Sequence, residues 1–357
     1  MITKDPMPRI APLLLAALIQ IVSAQVVVAE IHFADMVRAI QLGGTERMMV
    51  FALSDPGLPP AARAMRARIL HGMGVRARAG TITRHSLRAV PVLTWDSNIN
   101  GGYGNSEFIY AGLPFAIGKE YQAVSGVLIG GGADGALRMA LGGGTGLTLL
   151  ANADAAWAPE HDMAKLSVGV SACAHHMFSH ASWGYGCLDG TWRRIDLGDS
   201  RRHGARLGLN HIFFSGIGIH ELTVELQHNW HDASIGYRQG VASLSLTSAL
   251  AGGHALLAGA GIGSGVEQAN VMRERLWIGL GFELAGRPAS ITLGAQRNRG
   301  GEFLGQALEK HIRSASLSYR VRDDIGLSIY GAKTDSNIAF HDDSQIGLNI
   351  DWRFRVR

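Results

Sequence analysis

From Arg84 to the C-terminus, apolar residues recur at every second position, and few folds can satisfy that pattern over so long a stretch. In "SQIGLNIDWRF", Ile346, Leu348, Ile350, Trp352 and Phe354 fall on one face, while Gln345, Gly347, Asn349, Asp351 and Arg353 fall on the other. "HELTVELQ" sets Leu222, Val224 and Leu226 against Glu221, Thr223, Glu225 and Gln227, and "SASLSYR" sets Ala315, Leu317 and Tyr319 against serines and Arg320. Strict alternation gives a strand one apolar and one polar face. Every such strand must place its apolar face in a core or in lipid.

The runs number about fourteen: 84–95, 122–141, 145–157, 165–176, 183–194, 203–214, 219–230, 236–248, 253–264, 274–284, 289–298, 311–320, 325–333 and 345–355. Connections after even-numbered runs are mostly tight and rich in glycine, as at Gly142-Gly143-Gly144. Those after odd-numbered runs, such as 96–121, 195–202, 299–310 and 334–344, are mostly longer and more polar. An even count of strands with short turns at one end and longer loops at the other is the plan of an outer-membrane barrel. A soluble sandwich also alternates, but nothing makes its loops alternate in length. Trp95, Trp157, Trp183, Trp230, Tyr319 and Trp352 lie near strand ends, where interfacial aromatics belong. Aromatic content is only 7%, thin for such girdles, and Phe354 is followed by Arg355-Val356-Arg357 instead of closing the chain.

The N-terminal part follows other rules. A Lys and an Arg in MITKDPMPR, the apolar IAPLLLAALIQIV and small residues before Ala24 or Ala29 give residues 1–29 the three parts of a secretory signal peptide. Residues 30–80 space their apolar side chains three and four apart, which predicts a short periplasmic helical segment. Gly43-Gly44 and Asp55-Pro56-Gly57 divide it into three helices, Thr45 is an N-cap candidate, and Pro59-Pro60 opens the third. The barrel then takes residues 84–357. No later stretch has 18 consecutive apolar residues, so no transmembrane helix is expected. Charged residues make up 17% of the 357, the net charge is +4, and arginines are scattered, which argues against nucleic acid as a partner.

Few constellations suggest chemistry. Cys173 and Cys187, the only cysteines, would sit opposite one another if their strands form a hairpin about His180. Parity puts both on the lumen side with Ser171 and Asp189, so a disulfide or two free thiols fit there. Fifteen histidines supply no HExxH, and neighbours such as His175 and His176 point to opposite faces, so no metal is expected. "GAGIGSG" repeats glycine at every second place, reading as a strand with one bare face and not as a nucleotide loop. There is no GxSxG, and His220 has no serine at a defined place, so neither catalysis nor a cofactor is expected. Parity sends Arg206, Glu221, Glu225, Glu283, Arg320, Asp351 and Arg353 toward the lumen, as a hydrated charge-balanced interior, a conduit or a docking wall.

One short element adds a resemblance. The first strand ends in Trp95 and runs into Asp96-Ser97-Asn98-Ile99-Asn100 directly after short helices. With the long second run "SGVLIGGGADGALRMAL", this resembles the C-terminal barrel of the surface lipoprotein assembly modifier family over residues 85–357. The resemblance implies a fourteen-stranded outer-membrane barrel, inserted by the barrel assembly machinery and surrounded by outer-membrane lipid. It also implies a role in bringing a lipoprotein or other protein client to the cell surface. The family's longer helical repeat domain is not matched, since residues 30–80 are too short for the ~3 repeats of ~34 residues that such an array needs. A passive porin-like channel or structural barrel is the alternative expectation. The Asn and Asp side chains of the element suit a tight turn that would fix how the first loop leaves the wall and fold it inward.

Overall fold

The structure, a computed structural model, describes residues 33–110, 112–232, 235–352 and 354–355. The predicted signal peptide at 1–29 lies outside them, as does Arg353. Three helices come first: α1 (Phe33–Gly43), α2 (Glu46–Ala52) and α3 (Pro60–Gly72). The breaks fall at the predicted glycines and at Asp55-Pro56-Gly57. Thr45 caps α2, its Oγ1 accepting from the Met48 N–H at 3.1 Å.

The wall follows: β1 (Ile82–Asp96), then β4 (Gly126–Gly142), β5 (Thr145–Ala158), β6 (Met163–Met177), β7 (Ser182–Ile195), β8 (Gly198–Ser215) and β9 (Gly218–Asp232). It continues through β10 (Tyr237–Leu250), β11 (Ala255–Gly263), β12 (Val271–Leu284), β13 (Arg287–Phe303), β14 (Gln306–Arg322), β15 (Ile325–Ser336) and β16 (Asp343–Trp352). A small hairpin, β2 (Glu107–Tyr110) and β3 (Leu113–Ala116), sits in the first loop, and β17 (Phe354–Arg355) continues the line of β16 along β1. Each wall strand pairs antiparallel with its neighbour, and β16 returns to β1 through Thr94↔Asn349, Trp95↔Leu348 and Asp96↔Gly347. Fourteen strands thus close on themselves, and closure leaves no sheet edge unpaired in lipid.

The register carries the sequence alternation around the wall. Leu222, Val224 and Leu226 pair with His211, Leu209 and Leu207 on one face, and Glu221, Thr223 and Glu225 with Ile212, Asn210 and Gly208 on the other. The first face holds the exposed large apolar residues, among them Leu207, Leu209, Val224, Leu226, Ile291, Leu293, Leu317, Ile329 and Leu348. A closed barrel with an apolar outer band is built for lipid outside and polar contents inside. The chain is an outer-membrane β-barrel. Among the described residues no helix is long and apolar enough to cross a membrane.

Two sequence expectations are corrected. Segments 195–202 and 299–310 are mostly strand, with turns only at 196–197 and 304–305. Beyond the lipid band the outer face turns polar, as at Arg297, His311 and Arg313, so strand pairing continues after the apolar alternation ends. Trp183 is not at the lipid interface. It is 1% exposed and belongs to the lumen face, packed under the helices. Trp95 and Trp157 do lie exposed on the outer face at the loop end.

The helical segment occupies the tight-turn end of the barrel. The helices pack on the inner wall, α1 against β10–β12, α2 against β8 and β9, and α3 against β1. Met36, Ile40, Met48, Val50, Leu53, Leu70 and Met73 form one core with Trp183, Ile212, Ile219 and Ala249 of the wall. Burying seven such side chains contributes on the order of 10 kcal/mol before entropic costs. Helices of this length would not hold in water alone, so the wall is what folds them.

Candidate functional site

The lumen is bounded by two inward structures, the helical cap at one end and the first loop at the other. At the cap, Glu221 is 2% exposed on the inner face of β9. It accepts from Arg47 Nη2 at 2.5 Å, from Asn210 Nδ2 at 3.1 Å and from the Thr45 hydroxyl. A buried carboxylate is costly unless paired and hydrogen-bonded, and here both conditions hold. Glu46 of the same helix bridges Arg138 of β4 at 2.5 Å and Arg84 of β1 at 3.3 Å. Arg38 of α1 faces Glu283 at 3.8 Å. Helix α2 is therefore fastened to both sides of the barrel by charge as well as by packing.

Above the cap, one sector of the wall is ionic. Arg206 Nε donates to Asp189 at 2.7 Å, and Arg206 Nη1 lies 3.3 Å from Glu225. The Tyr185 hydroxyl donates to Glu225 at 2.6 Å and the Ser171 hydroxyl to Asp189 at 2.7 Å. Beside them Cys173 and Cys187, directly opposed across β6 and β7, form a disulfide on the lumen face. A cavity of about 440 Å³ lies between this sector and α2, lined by Arg47, Arg138, His175, Tyr185, Arg206 and Asn210 among others.

The opposite sector is built differently. Ser290 and Thr292 of β13, Ser316 and Ser318 of β14, Ser328 of β15 and Asn349 of β16 share the inner face by register. Ser314, Ser318 and Tyr330 are exposed although they face the inside of a closed wall, so water reaches them there. Arg320 and Asp351 belong to this inner face, each opposite Gly326. Of the lumen residues expected from parity, Arg206, Glu221, Glu225, Glu283, Arg320 and Asp351 are so placed.

Several lumen aromatics lie over glycine. The Tyr185 ring covers Gly208, Tyr330 covers Gly347, and the Trp277 indole covers Gly259, leaving no room for a Cβ at any of these glycines. The bare face foreseen in "GAGIGSG" is therefore partly filled, because Trp277 from the next strand occupies it. Arg275 extends over the same indole at 5.3 Å.

At the outer mouth, residues 97–110 and 112–125 fold inward from the end of β1. The Asp96-to-Asn100 element is the hub of that fold. Asp96 Oδ1 accepts from the Asn98 N–H at 2.9 Å, and its other oxygen accepts from Lys165 of β6 at 2.8 Å. Asn100 is fully buried. Its Nδ2 donates to the Gln122 carbonyl at 2.7 Å, and its Oδ1 accepts from the N–H groups of Val124 at 3.0 Å and Gly102 at 3.2 Å. Ile99 packs beneath with Leu128, Ala156, Ala158 and Val92. The Asn100 carbonyl accepts from Leu197 N–H at 3.2 Å, carrying the loop across to the β7–β8 turn.

The far part of the loop is locked by aromatics. Tyr103 meets Phe340 at 4.5 Å, and Phe108 meets Phe115, Phe303 and Phe340 at 5.3, 5.7 and 5.2 Å. His341 packs on Phe303 at 4.9 Å and on Phe340 at 5.0 Å, with its Nε2 buried and unpartnered. Burial, with Lys310 nearby, lowers the His341 pKa to about 4. The loop thus spans the mouth from β7 to β13. Sequence reasoning found the Asn-rich hub but missed Arg47, Lys165, Trp277 and this aromatic lock. The partners of Arg47, Lys165 and the lock lie far off in the chain, while Trp277 fills the glycine face of the adjacent strand. Only the inserted Phe and Tyr of a polar loop hinted at the lock. Among the described residues no cluster of metal-binding groups occurs.

Comparison with known proteins adds only distant likenesses. No family model matches the chain, and no curated protein matches it. Among solved structures, the outer membrane protein opdK of Pseudomonas aeruginosa has 9% identity and a TM-score of 0.43, over 77% of this chain and 100% of that one. OpdL of the same organism has 12% identity and a TM-score of 0.43, over 76% and 99%. OccAB3 of Acinetobacter baumannii has 8% identity and a TM-score of 0.41, over 76% and 99%. At such identities and scores the likeness bears on neither solute nor partner.

Proposed function

We propose that this protein is a selective outer-membrane channel for small polar solutes, its bore set by the loop 97–125 outside and by the helical cap inside. The observation that carries this reading is the inward loop, pinned through the buried Asn100 and the Lys165–Asp96 pair at 2.8 Å. A loop held inside a hydrated barrel narrows it without sealing the wall, which is how a wide barrel becomes a size filter. The two unlike sectors support selectivity, since a solute passing between them meets paired charges on one side and hydroxyls on the other. The test is single-channel conductance of the refolded protein in planar bilayers, with liposome swelling in neutral sugars of graded size. Discrete conductance steps and a sharp size limit are expected. Membranes no leakier than protein-free lipid would refute the channel.

A second reading keeps a protein client. It is supported by the Asp96–Asn100 element and by the apolar β2–β3 hairpin at the outer mouth, where Ile109 is 76% and Leu113 62% exposed. Deleting the gene and comparing surface-exposed proteins tests it. Loss of one surface protein with no change in solute uptake would favour the client over the channel.

A further inference from the structure

From residue 56 to residue 95 the chain carries seven arginines and two histidines without one acidic residue. Arg84 and Arg88 are spoken for, by Glu46 and Asp134. Arg63, Arg66 and Arg68 of α3, and Arg76 and Arg78 after it, have no ion-pair partner among the described residues. All but Arg66 are exposed. Uncompensated guanidinium groups at this density make a strong positive field in the absence of a partner.

The backbone fixes where two of them lie. The Thr83 hydroxyl donates to the Gly72 carbonyl at 3.2 Å, Gly80 N–H to the Ala140 carbonyl at 2.8 Å, and Ala140 N–H to the Thr81 carbonyl at 2.9 Å. Residues 73–81 therefore pass from the helical cap out along the foot of β4 and enter β1. There the outer wall presents Ile82 and Leu141, 56% and 45% exposed, as the last apolar side chains before the turn. Arg76 and Arg78 thus lie between the helical cap and these side chains, at the tight-turn end of the wall. Neighbouring turns at 142–144, 216–217, 251–254 and 285–286 carry neither Lys nor Arg. At the same end Arg287 and Arg322 face Asp323 and Asp324, at 2.9 and 3.5 Å, so arginine is present there too but is paired with acid.

We propose that this basic rim binds the phosphodiester headgroups of anionic phospholipid in the periplasmic leaflet. Guanidinium matches phosphate in a two-pronged geometry and stays charged at any physiological pH. The site is continuous with the lipid-facing wall, so a lipid whose chains lie against Ile82 and Leu141 brings its headgroup to Arg76 and Arg78. A periplasmic polypeptide would instead meet Arg63 and Arg68 on the open face of α3. Headgroup binding would hold the junction between cap and first strand in the membrane plane.

The test uses the full chain folded in detergent, with lipid retention followed by native mass spectrometry during titration of phosphatidylglycerol or phosphatidylcholine at two salt concentrations. Phosphatidylglycerol should be retained in preference, and less so at high salt. Arg76→Gln with Arg78→Gln should weaken that retention roughly 30-fold, about fivefold per arginine. Arg63→Gln with Arg68→Gln should leave it near the original, and free glycerol phosphate should compete poorly. Heat-modifiable gel migration confirms that each variant is folded. Equal retention of the two lipids, or an unchanged rim variant, would overturn the proposal. So would tighter binding of poly-glutamate lost with Arg63 and Arg68, which would assign the strip to an acidic polypeptide.

Discussion

Replacing Asn100 by Ala removes the hub of the mouth loop while leaving every wall strand intact. The lost side chain makes three hydrogen bonds, to the Gln122 carbonyl and to the Val124 and Gly102 N–H groups. Each nets about 1 kcal/mol when its partners can turn to water on opening, so the closed loop loses about 3 kcal/mol. That is on the order of a hundredfold rise in the open-to-closed ratio. The Asp96–Lys165 pair and the aromatic lock remain, so the loop loosens beside β1 rather than detaching. New protease cutting within 97–125 should appear, with larger and noisier single-channel conductance. Heat-modifiable migration should stay as it was, because no wall pairing is touched. If cutting and conductance both stay unchanged, Asn100 does not hold the mouth and the argument from its buried hydrogen bonds is wrong.

Other consequences are equally open to measurement. Leu348→Arg places a charge on the lipid face and should cost ~2–4 kcal/mol in reversible unfolding from detergent or lipid. Asn349→Arg, one residue along and facing the lumen, should cost far less; equal costs would mean the faces are reversed. His341 has its pKa lowered from 6.5 to about 4, mainly by burial and secondarily by Lys310. A lowered histidine pKa contributes stability above the unfolded value of 6.5 that is lost as pH falls through about 4. Protease cutting of the mouth loop should therefore increase over that descending window, and His341→Gln should flatten the increase. A profile identical in the variant would clear His341 of any part in it.

The wall was legible because its information is local. Alternation at every second residue names a strand and its two faces together, so Glu221, Glu225 and Arg206 could be assigned to the lumen before any partner was known. Cys173 and Cys187 could be set opposite one another by counting from a single hairpin. What failed depended on distant partners. Trp183 reads as an interfacial aromatic from its place at a strand end, and only the helices folding beneath it make it core. The β13–β14 ribbon reads as a loop because pairing there persists without an apolar face to mark it. The aromatic lock joins residues more than 200 positions apart, as in Tyr103 with Phe340. No window of sequence holds both.

The rings seated on Gly208, Gly259 and Gly347 make the calibre of the lumen depend on atoms that are not there. A single methyl at any of these positions would lift a whole indole or phenol off the wall and into the lumen. The lumen could thus be tightened stepwise, on one side or the other, by substitutions that leave strand count, register and the lipid-facing surface untouched. Under the proposed channel function, a lineage of such barrels could change what it admits without rebuilding the barrel.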